Sequence, residues 1–597
     1  MYRRRLADLA RPCAQRRWRR AQLAISGSLL ALALTGCVHG KPLSALENPS
    51  SFPTRQELER IAATEPAAPG EQEPVVPVER WTIGAPDGDE PAPEQAPWLD
   101  ALDETIATRK PAPRRTDEMV CVAREIGRFL LDHGGLPDER VRTLIQGHCG
   151  AALAAAHHLY EIAEISPEAA PAQLLEQWAP GLEAELSQSL EGRAGGPGQL
   201  LVGRWFGQKE GRAVVMTVVG LSLVRLREVS ASGLDARRIR IRGRLLTSAA
   251  HVQGWINQGE YGVERCTIDA RVAMPSFSMS CPLAAGDQQA WVNIGWTKEA
   301  RLLTEGVARL LVKDGKAIPT HFEPTTASLP PARDAADFRR RTVTKLNDVR
   351  KKKGVAPVRL AARQSALNQK LTRHFWAAAS TGDGKTQDSI ALGLLAGHDV
   401  GATIGNAHFL STAIGGERVP EAWLEHCLDQ PIGRDTLLDP EVRSVAFGVS
   451  LDHPRPGMHV VGTSYEPLDA RSDEAVAQEA IARLKAARSA LGYTTDVMQA
   501  ASAIVREEAA RISVEQIHPD VTMNRAMRRA ARRQTVPVHG MWIAGYQLAD
   551  SLASNPDLLR APHLRVAVAV THVRLPGSPW GLRIAIVLLV PSRATRA

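Results

Sequence analysis

The spacing of apolar positions divides the chain into segments of different period. Between residues 116 and 190, Val122, Ile126, Phe129 and Leu130 recur three and four apart, as do Val141, Leu144 and Ile145, the spacing of buried helix faces. Gly134-Gly135-Leu136-Pro137 interrupts the run, and Pro137 with Asp138 and Glu139 reads as a helix start. This predicts a helical domain over 116–190, closed by a Gly-rich linker at 191–198. From Leu200 to about Trp296 the period becomes two. Arg238-Ile239-Arg240-Ile241-Arg242 alternates strictly, and Val214 to Val224 is apolar and largely β-branched. A β-rich domain with one wet face is expected over 200–330, its arginines on the solvated side. Thr297 to Val312 returns to helical spacing.

The C-terminal half repeats itself. Leu346, Arg350 and Gly354 match Leu484, Arg488 and Gly492 at an offset of 138, and each set precedes an Ala-rich amphipathic helix. Pro440-Glu441-Val442-Arg443 with the apolar run Val445–Val449 parallels Pro562-His563-Leu564-Arg565 with Val566–Val570. Two related α/β units are expected, at 335–469 and 471–597, the second shorter in its middle.

The N-terminal part has no such period. Residues 38–115 hold 13 of the 39 prolines and few large apolar residues, which predicts a disordered tether over 37–115 with at most a short helix near Arg55–Ala63. Before it, an Arg-rich start and the apolar stretch Ala21–Leu34 describe a cleavable export signal over 1–36. Leu34-Thr35-Gly36-Cys37 resembles a bacterial lipobox, which implies acylation of Cys37 and an exported lipoprotein. Val38 in place of Asp implies the outer membrane, by analogy with enteric sorting. No later apolar run reaches the ~18 residues of a spanning helix.

Charge and cysteine usage fit export. The net charge is +8, but residues 1–36 carry eight Arg and one Asp, or +7. About +1 therefore remains downstream, which argues against nucleic acid as a partner. Cys121 and Cys149 each lie 14 residues from Gly135, so an antiparallel hairpin brings them to one end. Cys266 and Cys281 close a 15-residue loop, worth ~3 kcal/mol in the chain-entropy account. Both pairs are expected as disulfides, with Cys427 the odd one out.

Leu346-Asn347-Asp348-Val349-Arg350, Gly354-Val355-Ala356-Pro357-Val358 and Leu360 resemble the opening motif of the CAP superfamily of cysteine-rich secretory, antigen and pathogenesis-related proteins. Trp423, Arg434, Leu437-Leu438 and Gly448 are similar to its later landmarks, over about residues 338–466. The resemblance implies an α-β-α sandwich, the second copy being degenerate, within a multidomain α+β protein. It also implies a cleft of two His and two Glu, from which this chain departs. Residues 376–388 contain no His, Ile404-Gly405-Asn406-Ala407 stands where the family has Gly-Glu-Asn, and Gly433-Arg434 stands where it has His-Arg. The expectation is a non-catalytic binding or structural module with no cofactor. Its ligand would be a lipid, a polysaccharide or an envelope protein.

Other chemistries are weaker in the sequence. His398 and His408 are candidate ligands for a metal-dependent hydrolase, with His426, Asp399, Glu417, Glu421 and Glu425 nearby, but their spacings match no zinc pattern. Adjacent His426 and Cys427 project about 100° apart on a helix, so a thiol–base pair between them is disfavoured. Ala379 to Thr386 fits a relaxed phosphate-loop pattern but follows a helix rather than a strand. Arg525, Arg528, Arg529, Arg532 and Arg533 fall on one helix face that could touch an anionic surface. A second basic cluster at 339–353 is expected to face solvent.

Overall fold

Thr54 and Glu57 start the first helix. The Thr54 hydroxyl accepts from the Glu57 N–H at 3.2 Å, and the Glu57 carboxylate accepts from the Thr54 N–H at 2.6 Å, a reciprocal cap that opens α1 (Arg55–Ala62). The computed structural model describes residues 52–66, 75–76, 78, 81–84, 113–153, 156–165, 177–182, 184, 198–232, 237–247, 249, 251–269, 271–284, 289–297, 305–313, 321–322, 329–381, 383–415, 418–451, 457–534, 538–545, 548–553, 555–559, 563–574 and 578–591. Leu58 of α1 is fully buried among Leu367, Leu371, Phe375, Ile390 and Leu394. Leu58 packs closely on Gly393, where a Cβ would lie 2.3 Å from the Leu58 Cδ2. Within the tether expected over 37–115, α1 is the short helix expected near Arg55–Ala63, and it is docked; Val75–Val76 pairs with Leu136–Pro137 and Trp81–Thr82 with His321–Phe322, while most of that stretch lies outside the described residues. One apolar residue per turn is enough to dock a helix whose neighbours supply the rest of the core. The lipobox and Cys37 lie outside the described residues.

Helices α2 (Asp117–His133) and α3 (Glu139–His148) are capped by Thr116 and Asp138, and Gly134 ends α2 at φ 73°. Cys121 and Cys149 are disulfide-bonded with Cα atoms 5.6 Å apart. The pair does not form a separate helical domain over 116–190. Instead α2 lies on a sheet ordered Arg114–Arg115, Gln199–Lys209, Arg212–Ser222, Ala156–Glu164. Gly203 permits the approach, since a Cβ would sit 2.0 Å from the Met119 backbone. The alternation of Ala156, Tyr160 and Ile162 on one face with Leu159 and Ala163 on the other is a period of two inside what reads as helical sequence.

The β-rich part is a pair of four-stranded sheets sharing one core. Strand Arg238–Leu245 buries Ile239 and Ile241 while Arg240, Arg242 and Arg244 face out. Cys266 and Cys281 are bonded. The helical spacing expected over Thr297–Val312 is corrected in its described part, where Glu305–Lys313 is a strand antiparallel to Gln289–Thr297. Burial of Ala308, Leu310 and Val312 between less buried neighbours is again a period of two.

The first C-terminal unit contains α4 (Ala335–Lys352), β1 (Arg359–Leu360), α5 (Ala362–Thr381), α6 (Gly384–Leu395), β2 (Ile404–Gly415), α7 (Pro420–Leu428), α8 (Pro431–Leu438), β3 (Ser444–Leu451) and β4 (Gly457–Pro467). The second contains α9 (Asp473–Ser489), β5 (Thr494–Val497), α10 (Gln499–Glu515), α11 (Pro519–Gln534), β6 (His539–Gly545), α12 (Leu548–Ala553), α13 (Pro556–Leu559), β7 (His563–Arg574) and β8 (Gly581–Pro591). Their sheets run β1-β3-β4-β2 and β5-β7-β8-β6, the first pairing parallel and the others antiparallel in each.

The repeat extends to single atoms. Gly354 and Gly492 turn at φ 75° and 76°. Ala361 N–H donates to Val445 O, and Met498 N–H to Val566 O, both at 2.8 Å. Arg350 and Arg488 are fully buried with guanidiniums on backbone carbonyls. Each sheet has apolar helices on both faces, so each unit is three-layered.

Candidate polar site at the junction of the units

β2 carries Asn406 and His408 two residues apart, hence on one face of the sheet. In the neighbouring strand, Glu466 stands opposite Asn406. Glu466 Oε1 receives His408 Nε2 at 2.9 Å and Asn406 Nδ2 at 2.8 Å. Asp439, just past α8, caps the turn by accepting from Glu441 N–H at 2.6 Å. Arg471 bonds Glu441 at 2.7 Å and also Glu479. Arg583 of β8 approaches Glu441 at 3.6 Å and donates to His572 at 3.2 Å. With Arg265 from the β-rich part and Arg483 from α9, these side chains line a pocket of about 90 Å³. It lies where three parts of the chain meet.

Burial pulls the His408 pKa down, but the hydrogen bond and charge of Glu466, with Asp435 and Asp439, outweigh it and hold His408 above its ordinary value. Burial pushes Glu466 up; His408, Asn406 and Arg583 outweigh that and hold it below. Asp439 is raised to about 6 by burial and the charge of Glu466. A histidine hydrogen-bonded to a buried carboxylate is engaged by that partner and is not a free base. The arrangement suits recognition of a polar ligand.

A pH dependence follows. The stability from His408 is fully present below its ordinary value near 6.5 and is lost as pH rises through its higher folded value. That from Glu466 is present above its ordinary value near 4.5 and is lost as pH falls through its lower folded value. Asp439, being raised, opposes Glu466 on the acid side, so the alkaline limb is the cleaner readout. His408→Gln is expected to cost about 2 kcal/mol near pH 6 and to flatten that limb in thermal melts taken against pH. Superimposable wild-type and variant profiles would refute the pairing.

The other expected site residues are scattered. His398 Nε2 lies 3.0 Å from Pro53 O, and Asp399 pairs with Arg55 at 2.7 Å, so both fasten α1. His426 is buried on α7 and pulled down to about 3 by burial and by Arg309, Arg140 and Arg142. Cys427 is free, lies in the core of the first unit, and is pushed up to about 12 by burial. Glu417 lies outside the described residues. Among the described residues no group of three His, Cys, Asp or Glu is placed to hold a metal. Residues 379–381 end α5, Asp383 caps α6 and residues 384–386 open it, so the phosphate-loop-like stretch joins two helices. The basic cluster at 339–353 is not all solvent-facing: Arg350 is fully buried, and Arg341 is largely buried on Glu421. On α11, Arg525, Arg528, Arg532 and Arg533 are exposed, while Arg529 is held by Glu507 and Glu508 at 2.6 Å.

Sequence reasoning missed Glu466 and Asp439. The carboxylates near His408 in sequence are not its partners; strand pairing brings in one from 58 residues away. The available signal was a lone Glu ending the largely apolar strand Gly457–Pro467.

Position 433 is closed by packing. A Cβ there would lie 1.9 Å from Cys427 O, so α8 packs on α7 only with Gly. Arg434 donates to Leu428 O at 2.6 Å and to Gly259 O and Gly262 O at 2.9 and 2.7 Å. Trp255 Nε1 meets Asp435 at 3.0 Å, and Asn257 donates to Asp429 O at 2.7 Å. A hairpin of the β-rich part therefore covers this end of α8.

No family model and no curated protein sequence matches the chain. Among solved structures, a cysteine-rich secretory protein from Staphylococcus aureus subsp. aureus Mu50 is similar over 40% of this chain and 88% of that one, with 11% identity and a TM-score of 0.17. This is a weak structural likeness to a protein of the CAP family.

Proposed function

We propose that this chain is an exported, lipid-anchored protein of the bacterial envelope, held at the outer membrane through Cys37. In this reading it acts as a non-catalytic binding or structural module, with a CAP-type unit at 335–469 and a degenerate second copy at 471–597. The observation that carries the reading is the locked pair His408–Glu466 together with a Gly at 433 that admits no side chain. The imidazole is committed to its carboxylate, and the position of the motif histidine is closed. The charged lining of the pocket favours a polysaccharide or another polar envelope ligand over an apolar one.

Two measurements test it on protein purified from membranes. Mass spectrometry should recover a mature chain beginning at acylated Cys37, and Cys37→Ala should move the protein to the soluble fraction. Metal analysis should find well under one equivalent of zinc. An unacylated mature terminus would remove the anchor. A full equivalent of zinc whose loss in His408→Ala or His398→Ala abolishes a hydrolytic activity would replace the binding module with a metal-dependent hydrolase.

A further inference from the structure

We propose that the exposed arginine face of α11 is a docking surface for a layer of anionic lipid headgroups, a partner for the lipid-anchored reading above. Helix α11 is sharply two-sided. Ala526 and Ala530 are fully buried, with Met523, Met527 and Ala531 packed beside them. Arg525, Arg528, Arg532 and Arg533 point outward. From the first to the last is eight residues, roughly 12 Å of helix.

These arginines are not there to neutralise α10. Glu507 and Glu508 are already taken by Arg529 at 2.6 Å, with Arg511 near both. Arg533 adds to the positive field at Glu507. Among the described residues, Arg525, Arg528 and Arg532 have no hydrogen bond or ion pair. The Arg529 contacts make α10 and α11 antiparallel, which puts Val514 toward the hairpin tip beyond Arg525. Val514 is 81% exposed, far more than any other large apolar residue among the described ones. An apolar tip beside a row of guanidiniums fits an interface of headgroup phosphates over acyl chains.

The anchor has the reach. Phe52 stacks on Trp580 at 5.4 Å, just before β8 begins. Met523 and Met527 of α11 pack at Gly540, which pairs with Leu588 near the other end of β8. Eight residues of strand span about 26 Å. The fifteen residues from Cys37 to Phe52 extend up to about 50 Å, so an acylated Cys37 can lie in the membrane that α11 touches.

The test uses the full mature chain carrying Cys37→Ala, so that no acyl group drives binding. It is co-sedimented with vesicles of equimolar phosphatidylglycerol and phosphatidylcholine, and with phosphatidylcholine alone. Binding is expected only to the anionic vesicles and should weaken in high salt. At about fivefold per arginine, changing Arg525, Arg528, Arg532 and Arg533 together to Gln should weaken binding about a hundredfold or more. Arg525→Gln with Arg528→Gln should cost about twentyfive-fold. Arg240→Gln with Arg244→Gln, on an exposed strand face elsewhere, should change nothing. Equal binding by the parent and the fourfold variant overturns the proposal. So does an equal loss in the strand-face variant, failure of the parent to bind anionic vesicles, or tighter binding to single-stranded DNA than to lipid. The acylation result is read from native protein, so either claim can fail alone.

Discussion

Replacing Arg350 with alanine should destabilise the first C-terminal unit by about 4 kcal/mol or more, among the largest effects of any polar substitution in the chain. The guanidinium is fully buried. It donates to Ala356 O and Leu437 O at 2.7 Å, Val442 O at 3.0 Å and Asp439 O at 3.1 Å. One side chain thus ties together the end of α8 and the turns before β1 and β3. Burial and the charge of Arg443 lower its pKa to about 10, so it remains charged at neutral pH. Alanine leaves a cavity and removes four hydrogen bonds at once; lysine keeps the charge but not the planar fork and should recover only part. Calorimetry of the full chain should show one transition lowered by about 10 °C or more. Arg488→Ala should act likewise on the second unit, since Arg488 bonds Thr494 O at 2.8 Å, Thr495 Oγ1 at 2.6 Å and Leu558 O. A shift below about 1 kcal/mol in both variants would mean that the repeated arginines are incidental.

That prediction began as a spacing of letters. Leu346, Arg350 and Gly354 recur as Leu484, Arg488 and Gly492 because a helix, its buried arginine and its left-handed terminator are fixed by local geometry. Such features are legible in one dimension. So were the disulfide partners, the strict Arg–Ile alternation and the helix start at Asp138. What escaped was decided by packing. Leu58 docks α1 by packing against Gly393 and the apolar side chains around it. Strands Ala156–Glu164 and Glu305–Lys313 were masked by small and polar residues whose burial depends on the neighbouring strand. The polar site was half legible: His408 stood out, but Glu466 belongs to it only through the β2–β4 register. Asp439 gains its raised pKa only from that company.

Gly433→His is the sharpest test of whether packing closes position 433 to any side chain. If 433 were a free surface position, a histidine there would be harmless and could add a metal ligand or a base. The packing predicts otherwise. A Cβ at 433 would stand 1.9 Å from Cys427 O and 2.7 Å from Cys427 C, and both atoms are backbone, so no rotamer relieves the clash. Helix α8 must move off α7, carrying Arg434 away from Gly259 O and Gly262 O and Asp435 away from Trp255. Gly433→Ala alone should therefore cost about 3 kcal/mol or more. Gly433→His should cost at least as much, read as a lowered thermal transition or as insoluble protein. Because α8 is held by the hairpin over residues 251–265, both variants should also make that hairpin more open to limited proteolysis. A Gly433→His protein that melts with wild type would show that position 433 is not closed by packing.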